Sequence, residues 1–198
     1  MNNLNHIAFI MDGNGRWGLK KKNSRNYGHL AGVKTVQEII EASILFNIPI
    51  ISFYIFSTEN WKRPKSEINY LFNLINIYFK KEINNIIKNK IKIITSGRVK
   101  KLPVKIRQVL KIASDRTKNN QKIIINLAIN YGSRNEIVDA VKKINYYSQK
   151  ITEKKINENL YSNLKSPDIL VRTGGQKRLS NFMLWQVAYA EIFFLDKL

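Results

Sequence analysis

Short apolar runs alternate with longer amphipathic patterns along the whole chain, and this alternation limits the fold more than any other feature. Runs rich in Ile, Val and Phe, bounded by turn residues, predict strands. They fall at about 5–11, 50–56, 91–96, 122–129, 168–172 and 191–194. Helical patterns lie between them, at about 29–46, 66–89, 103–118, 134–149 and 153–163. Such alternation predicts an α/β fold, with a mainly parallel central sheet flanked by helices.

Three of the predicted strands run directly into polar clusters. The run HIAFIM leads into the glycine-rich turn DGNGRW, ISFYIF leads into STENWKRP, and DILV leads into RTGGQKRLSNF. The carboxyl ends of parallel strands share one edge of a sheet, where ligands bind in a crevice. Three ordinary surface loops are the alternative, although loops need neither two tryptophans nor four arginines. We therefore expect these clusters to converge on one site.

The arginines in these clusters predict a phosphate-binding site. Lysine is the preferred cation of this chain, yet five arginines lie in glycine-rich or polar segments: Arg16, Arg25, Arg63, Arg172 and Arg178. A guanidinium fork can grip two phosphate oxygens at once, and glycine turns expose backbone N–H groups to anions. The glycine pattern matches neither a Walker A loop nor a dinucleotide-binding turn.

Three acids fall in or beside the same segments: Asp12, Glu59 and Glu191. A carboxylate at a phosphate site most plausibly holds Mg²⁺, whose octahedron phosphate oxygens and water complete. Asp12 could instead serve as a turn or cap residue, and Glu191 as a structural ion-pair partner. His29, taken alone, would most often be a helix-surface histidine.

The segment SEINYLFNLINIYFKKEINNII has an apolar face wider than one helical stripe needs. Core packing is the more frequent explanation, and lining a slot for an apolar ligand is the alternative. A diphosphate site at the mouth with aliphatic walls behind it would suit an isoprenoid diphosphate. The resulting hypothesis is prenyl transfer.

The formal charge of +20 invites a different hypothesis, nucleic-acid binding. Lysine, asparagine and isoleucine are abundant in every segment, however, which favours a compositional bias over a dedicated basic face. The chain has no cysteine, no apolar run of the ~18 residues needed to span a membrane and no secretory signal. A cytoplasmic location fits these features best.

Five segments in order resemble the cis-prenyltransferases, specifically the bacterial undecaprenyl diphosphate synthase family. They are IAFIMDGNGRWG, RNYGHLAGV, YIFSTENWKRP, NLAINYGSRNEIVDAV and SPDILVRTGGQKRLSNFMLWQVAYAEIFF. The resemblance extends over nearly the whole chain. The D-D-x-x-D hallmark of the trans-prenyltransferases is absent. The family fold is a homodimeric α/β sandwich with a hydrophobic tunnel.

The resemblance implies a role for each matching position. The catalytic residues would be Asp12 and Asn60, Asn60 as a candidate proton acceptor that competes with water, His29 and a diphosphate oxygen. Asp12 and Glu191 would bind the metal, Mg²⁺. The allylic diphosphate site would comprise Gly13, Asn14, Gly15, Arg16, Trp17, Arg25 and His29. The second loop would contribute Ser57, Thr58, Glu59, Trp61 and Arg63. The isopentenyl diphosphate site would comprise Arg172, Arg178, Leu179 and Ser180.

The family also implies partners and a product. An allylic diphosphate, such as farnesyl diphosphate, and isopentenyl diphosphate would give a long-chain polyprenyl diphosphate such as undecaprenyl diphosphate, the lipid-carrier precursor for cell-wall synthesis. The product would pass to the membrane, with which a homodimer could associate peripherally, and nucleic acid would play no part. Residues 1–198 would form a single domain that lacks the family's usual C-terminal segment.

Two positions depart from the family pattern. Gln176 stands where bacterial members usually carry Glu, and Ile55 is bulkier than the Ala common before FSTENW. The larger side chain predicts a narrower tunnel and a shorter product. A short-chain prenyltransferase homologue therefore stays open beside the leading hypothesis, as do an inactive homologue, suggested by the missing C-terminal segment, and a basic nucleic-acid-binding protein.

Overall fold

The computed structural model describes residues 4–198, and these build one six-stranded sheet flanked by helices. The strands are β1 His6–Ile10, β2 Ile50–Ser57, β3 Ile91–Ser96, β4 Ile123–Tyr131, β5 Ile169–Arg172 and β6 Glu191–Phe194. Their order in the sheet is β3-β4-β2-β1-β5-β6, and every neighbouring pair is parallel. The predicted α/β fold with a parallel central sheet is confirmed.

Helices connect the strands. They are α1 Asn14–Lys22, α2 Arg25–Leu45, α3 Lys65–Lys88, α4 Val104–Thr117, α5 Ser133–Tyr146 and α6 Glu153–Asn159, with 3₁₀ turns at Thr58–Lys62 and Val99–Lys101. Across residues 4–198, every helix is too short or too polar to cross a membrane.

The prediction of a glycine-rich turn after β1 was wrong for most of that segment. Only Gly13 adopts a positive φ, of 100°, and helix α1 begins at the next residue. The remaining glycines serve close helix packing. A Cβ on Gly28 of α2 would lie 1.8 Å from the Asn14 carbonyl oxygen, and one on Gly18 of α1 would lie 2.4 Å from the Gly28 nitrogen. These glycines let two helix backbones touch directly.

Helix α2 begins four residues before its predicted start. Ser24 caps it, because the Ser24 hydroxyl oxygen accepts a hydrogen bond from the Tyr27 backbone N–H at 3.3 Å. This earlier start puts Arg25 and His29 on the first turns of a helix that leads away from the strand ends.

The larger core lies on one face of the sheet, beneath α2, α3 and α4. Its members include Ile51 and Phe53 of β2, Phe72 and Phe79 of α3, and Leu110 of α4, all buried. Full burial of side chains of this size stabilises a fold by about 1.5–3 kcal/mol each. The opposite face carries a smaller core, formed around Ala8, Leu170 and Phe182.

A buried chain of polar side chains crosses four strands. The Ser96 hydroxyl donates to the Asn126 amide oxygen at 2.8 Å, and the Asn126 amide nitrogen donates to the Ser52 hydroxyl at 2.9 Å. The Ser52 oxygen lies 2.8 Å from His6 Nε2, and His6 Nδ1 lies 2.6 Å from the Lys165 carbonyl oxygen. Every member is satisfied when His6 is neutral, with its proton on Nδ1.

Candidate active site

Strands β1 and β5 bring Asp12 and Arg172 together across 160 residues of sequence. Ile10 and Arg172 are register partners, so β5 ends beside the point where the chain leaves β1. Arg172 Nη2 donates to Asp12 Oδ2 at 2.8 Å. Burial alone would raise the pKa of Asp12, but the hydrogen bonds from Arg172 and the Gly13 N–H and the charges of Arg172 and Arg16 lower it. Asp12 is therefore a carboxylate at neutral pH.

Arg172 is nearly buried, with 3% of its surface exposed, and its guanidinium organises the following loop. Nη1 donates to the Ser180 hydroxyl oxygen at 2.7 Å and also to the Arg178 carbonyl oxygen. Nε is buried and has no partner within the described residues 4–198. Arg172 is thus fixed through its two terminal nitrogens, while the unsatisfied Nε is energetically costly.

A second arginine joins the turns after β1 and β5. Arg16 Nη2 donates to the Gly174 carbonyl oxygen at 2.7 Å and lies 3.3 Å from Asp12 Oδ1. The two turns approach so closely that a Cβ on Gly13 would lie 3.2 Å from the Gly174 Cα. Gly13 and Gly174 both have positive φ, at 100° and 88°. The N–H groups of both glycines are already bonded, Gly13 to Asp12 Oδ1 and Gly174 to the Lys197 carbonyl oxygen, so the guanidinium groups are what these turns offer an anion.

Glu67 is the functional residue that the sequence reasoning missed. This buried carboxylate accepts hydrogen bonds from Arg25 at 3.1 and 3.3 Å, from Arg63 at 2.9 Å and from His29 Nε2 at 3.1 Å. Burial raises the pKa of Glu67, but these partners more than offset it and lower the pKa. Glu67 stands four residues after Arg63 at the start of α3, and this helical spacing could have revealed it.

The loop after β2 is fixed by a reciprocal cap. The Ser57 hydroxyl accepts from the Asn60 N–H at 3.2 Å, and the Asn60 side-chain oxygen accepts from the Ser57 N–H at 3.1 Å. Trp61 Nε1 donates to the Asn130 side-chain oxygen at 2.8 Å, and its ring packs on Phe56. The loop is therefore rigid, and Asn60 has its amide oxygen already engaged.

One cavity of about 710 Å³ opens at this edge of the sheet. Fourteen of the predicted site residues line it: Asp12, Gly13, Asn14, Gly15, Arg16, Arg25, His29, Ser57, Glu59, Asn60, Arg63, Arg172, Arg178 and Ser180. The rest of the wall is largely apolar: Val33, Val36, Ile55, Leu71, Leu74, Ile75, Phe79, Leu110, Leu127 and Ile129. The wide apolar face of α3 therefore has two roles, core packing and lining of the cavity. Phe72 packs in the core, and Leu71 and Leu74 line the cavity.

Five predicted residues do not line this cavity. The Trp17 ring stacks on Tyr27, with ring centroids 5.6 Å apart. Leu179 packs against the smaller core, Thr58 lies beside Gly132, and Trp61 bonds to Asn130 as described.

Glu191 is the fifth, and a single chain does not bring it to Asp12. Glu191 is exposed at the start of β6 and pairs with Ile169, three residues before Arg172. At the ordinary rise of a strand this is a separation of about 10 Å along the sheet. The suggested metal role of Glu191 therefore stays a prediction.

The acidic groups at the cavity fit a magnesium ion that arrives with its phosphate ligands. Within residues 4–198, no group of three or more His, Cys, Asp or Glu side chains could hold a metal by itself. Mg²⁺ is commonly held by one or two carboxylates together with substrate phosphates and water. Asp12 is ionised and faces the cavity, as does Glu59, so the donor set suits such a shared site.

Comparisons with known proteins agree with this fold. The prenyltransferase family model described as "Putative undecaprenyl diphosphate synthase" matches residues 10–198. The chain is 44% identical over 194 residues to an isoprenyl transferase of Fusobacterium nucleatum, covering 98% of this chain and 84% of that one. It is also 44% identical over 199 residues to an isoprenyl transferase of Rickettsia felis, covering 100% and 85%.

Two solved structures are similar over nearly the whole chain. A probable undecaprenyl diphosphate synthase from Campylobacter jejuni has a TM-score of 0.85 at 37% identity, covering 100% of this chain and 88% of that one. Lavandulyl diphosphate synthase from Lavandula x intermedia, in complex with dimethylallyl diphosphate, has a TM-score of 0.93 at 28% identity, covering 98% and 88%.

The fold, the basic cavity mouth and these relatives define an enzyme that transfers prenyl groups. The chain belongs to the undecaprenyl diphosphate synthase family of cis-prenyltransferases, as its motifs predicted.

Proposed function

We propose that this enzyme condenses isopentenyl diphosphate onto an allylic diphosphate, farnesyl diphosphate, in a Mg²⁺-dependent reaction. The product is a long-chain polyprenyl diphosphate of the undecaprenyl class, the lipid-carrier precursor for cell-wall synthesis. The observation that carries the proposal is one cavity that combines a cationic mouth with apolar walls. Diphosphate and hydrocarbon are the two halves of such substrates.

Two cationic groups at the mouth support two diphosphate subsites. The first consists of the α1 N-terminus with Arg16, Arg25 and His29, and suits the allylic diphosphate. The second consists of Arg172, Arg178 and Ser180, and suits isopentenyl diphosphate. Asp12 lies between them, because it contacts both Arg16 and Arg172. Opposite charges about 4 Å apart attract by about 4 kcal/mol at an effective dielectric near 20, so several arginines hold a diphosphate firmly.

The arginines assist the bond-breaking step. As the allylic C–O bond breaks, negative charge accumulates on the departing diphosphate, and fixed guanidinium groups stabilise it. The isopentenyl double bond attacks the allylic carbon, and loss of a proton regenerates an allylic product. A bound Mg²⁺ supplies additional charge stabilisation for the leaving diphosphate, and Asp12 is the residue that would hold it.

The proton acceptor is either Asn60 or a more basic group nearby. An amide is not basic, and the Asn60 oxygen accepts a backbone hydrogen bond. His29 is chemically better suited, because burial lowers its pKa and Glu67 accepts its Nε2 proton, which leaves Nδ1 able to accept one. A diphosphate oxygen and water are the other acceptors.

The apolar end of the cavity would receive the growing hydrocarbon tail, as a tunnel does. Val33, Val36, Ile55 and Ile75 line its walls. This supports a limit on product length set by the wall residues. The proposal also includes a homodimer, a cytoplasmic location and a peripheral association with the membrane that receives the product.

The test is an incubation with farnesyl diphosphate and labelled isopentenyl diphosphate, with and without EDTA, followed by chromatography of the dephosphorylated products. Incorporation of label that EDTA abolishes and added Mg²⁺ restores is the expected result. The same chromatogram gives the product length. No incorporation under any condition would overturn the proposal.

A further inference from the structure

Ser180 and Asn181 are consecutive residues with left-handed backbone, at φ 47° and 63°. Residues other than glycine seldom adopt this conformation, and two in succession are rarer still. Such strain persists only where the surroundings hold it, and it concentrates at functional sites. Helix α5, strand β2, the loop after β2 and the end of β5 provide the contacts that hold this pair.

Asn181 caps the N-terminus of helix α5 from a distant part of the chain, because the helix's own N-cap residue cannot do so. The residue at the N-cap position is Gly132, which has no side chain. The Ser133 N–H donates to the Asn181 carbonyl oxygen at 2.8 Å, and the Arg134 N–H donates to Asn181 Oδ1 at 2.9 Å. Two N–H groups that helix geometry leaves unsatisfied are thereby satisfied.

The same side chain reaches the loop after β2. Asn181 Nδ2 donates to Glu59 Oε1 at 3.0 Å. Gly132 makes this approach possible, because a Cβ there would lie 2.6 Å from Thr58 Oγ1 and 2.7 Å from Asn181 Nδ2. Burial raises the pKa of Glu59, but the bond from Asn181 and other hydrogen bonds lower it, so this contact is charge-assisted at neutral pH.

The preceding residue connects the pair to the second diphosphate subsite. The Ser180 hydroxyl oxygen accepts from Arg172 Nη1 at 2.7 Å, and the Ser180 carbonyl oxygen accepts from the Tyr54 hydroxyl at 3.2 Å. A shift of Asn181 therefore moves Ser180, and with it the hydrogen-bond partner of Arg172.

We propose that Asn181 is a positioning residue that sets the isopentenyl diphosphate subsite relative to the loop bearing Glu59. This inference rests on the proposed function, because the identity of the subsite comes from it. Asn181 acts through Ser180 and Arg172, and the bond to Glu59 fixes its position.

The test is a double-mutant cycle on Asn181 and Glu59. Asn181→Asp keeps the acceptor for the Arg134 N–H and places a second carboxylate against Glu59. We expect the KM for isopentenyl diphosphate to rise about tenfold, with kcat and the KM for the allylic diphosphate changed less than about threefold. In the Glu59→Gln background, Asn181→Asp is expected to change the KM by less than about threefold relative to Glu59→Gln alone, because the glutamine amide donates to the new carboxylate. Asn135→Asp, which adds the same charge on the first turn of α5, is the matched control.

Affinity for inorganic pyrophosphate and the melting temperature are measured on the same proteins, since neither needs turnover. Wild-type protein that transfers no prenyl group would overturn the proposed function, and Asn181 would then be judged by pyrophosphate affinity, with the same loss and the same dependence on Glu59 expected. An Asn181→Asp variant that binds and reacts like wild type overturns the inference. So does an Asn181→Asp defect that is equally large in the Glu59→Gln background, because it would show that Asn181 only stabilises the fold.

Discussion

At the scale of one residue, Glu67 determines the electrostatics of the cavity mouth beside Arg25, Arg63 and His29. Its buried carboxylate holds Arg25 and His29 of helix α2 and Arg63 of the loop after β2 in fixed positions. Hydrogen bonds to a charged group contribute about 1.5–3 kcal/mol each, and partly exposed partners contribute at the lower end. The two guanidinium groups and the imidazole are thus held in place before a ligand arrives.

Glu67→Gln tests this arrangement through stability. We expect the free energy of unfolding at pH 7 to fall by about 2 kcal/mol, because the variant loses its charge-assisted bonds. The folded-state pKa of Glu67 lies below its unfolded value, so the stabilisation is present above the unfolded pKa and is lost as pH falls through the folded pKa. The difference between the two proteins in urea unfolding should therefore shrink below about pH 4.

The control for this measurement is Glu38→Gln, on an exposed pair with Lys34. Its free energy of unfolding should change by less than about 0.5 kcal/mol. Equal losses from the two substitutions would show that Glu67 has no special role.

At the scale of elements, the sequence predicted all six strands and most helices but not the first helix. The strands could be predicted because apolar runs between turn signals are local features of the sequence. Helix α1 could not be predicted, because Gly15 and Gly18 look like turn residues until Arg25 and Gly28 are placed against them. Glu67 was overlooked for a similar reason, since its partners Arg25 and His29 lie about 40 residues away. Contacts that depend on tertiary packing leave little trace in a local pattern.

Gly28→Ala tests the crossing of α1 and α2. The added methyl would lie 1.8 Å from the Asn14 carbonyl oxygen and 2.9 Å from the Gly18 nitrogen, both backbone atoms that cannot move independently. We expect a loss of about 3 kcal/mol in the free energy of unfolding and weaker pyrophosphate binding, because α1 must shift. Ala42→Gly at an exposed site of α2 should cost only about 1 kcal/mol. A fully stable Gly28→Ala protein would mean that the helices cross differently.

The polar chain across the sheet predicts a pH-dependent stability. Burial lowers the pKa of His6 below 6.5, although the Lys165 carbonyl and Asp168 oppose this. The unfolded chain then binds more protons near pH 6, so stability is full above about pH 6.5 and falls as pH decreases below it. At one unit below the unfolded pKa, a histidine that stays neutral in the fold costs about 1.4 kcal/mol.

Two measurements check this expectation. Urea unfolding of wild type and His6→Gln between pH 8 and pH 5 should show a smaller slope in the variant, with the remainder due to His29, whose pKa is also lowered. NMR titration of the His6 imidazole should give a pKa below 6.5. A His6 that titrates at or above its ordinary value would contradict the polar chain as described.

At the scale of the whole molecule, residues far apart in sequence meet because the sheet is parallel. Asp12 follows β1, the Ser57–Arg63 loop follows β2 and Arg172 ends β5, so all three lie at one edge of the sheet. The strand order could not be read from local patterns, but parallel α/β topology alone predicts that such loops converge. Glu191 shows the limit of that rule, because it is the first residue of its strand and lies at the other end.

Asp12 and the arginines after β5 are expected to act together in prenyl transfer within this cavity, and the proposed function depends on this cooperation. The most direct measurement is the turnover of Asp12→Ala with farnesyl diphosphate and isopentenyl diphosphate, alongside circular dichroism to establish that the variant is folded. We predict that kcat falls by at least ~10³-fold, about 4 kcal/mol of lost transition-state stabilisation. A folded variant with a kcat within about tenfold of wild type, a loss of only about 1.4 kcal/mol, would contradict the claim.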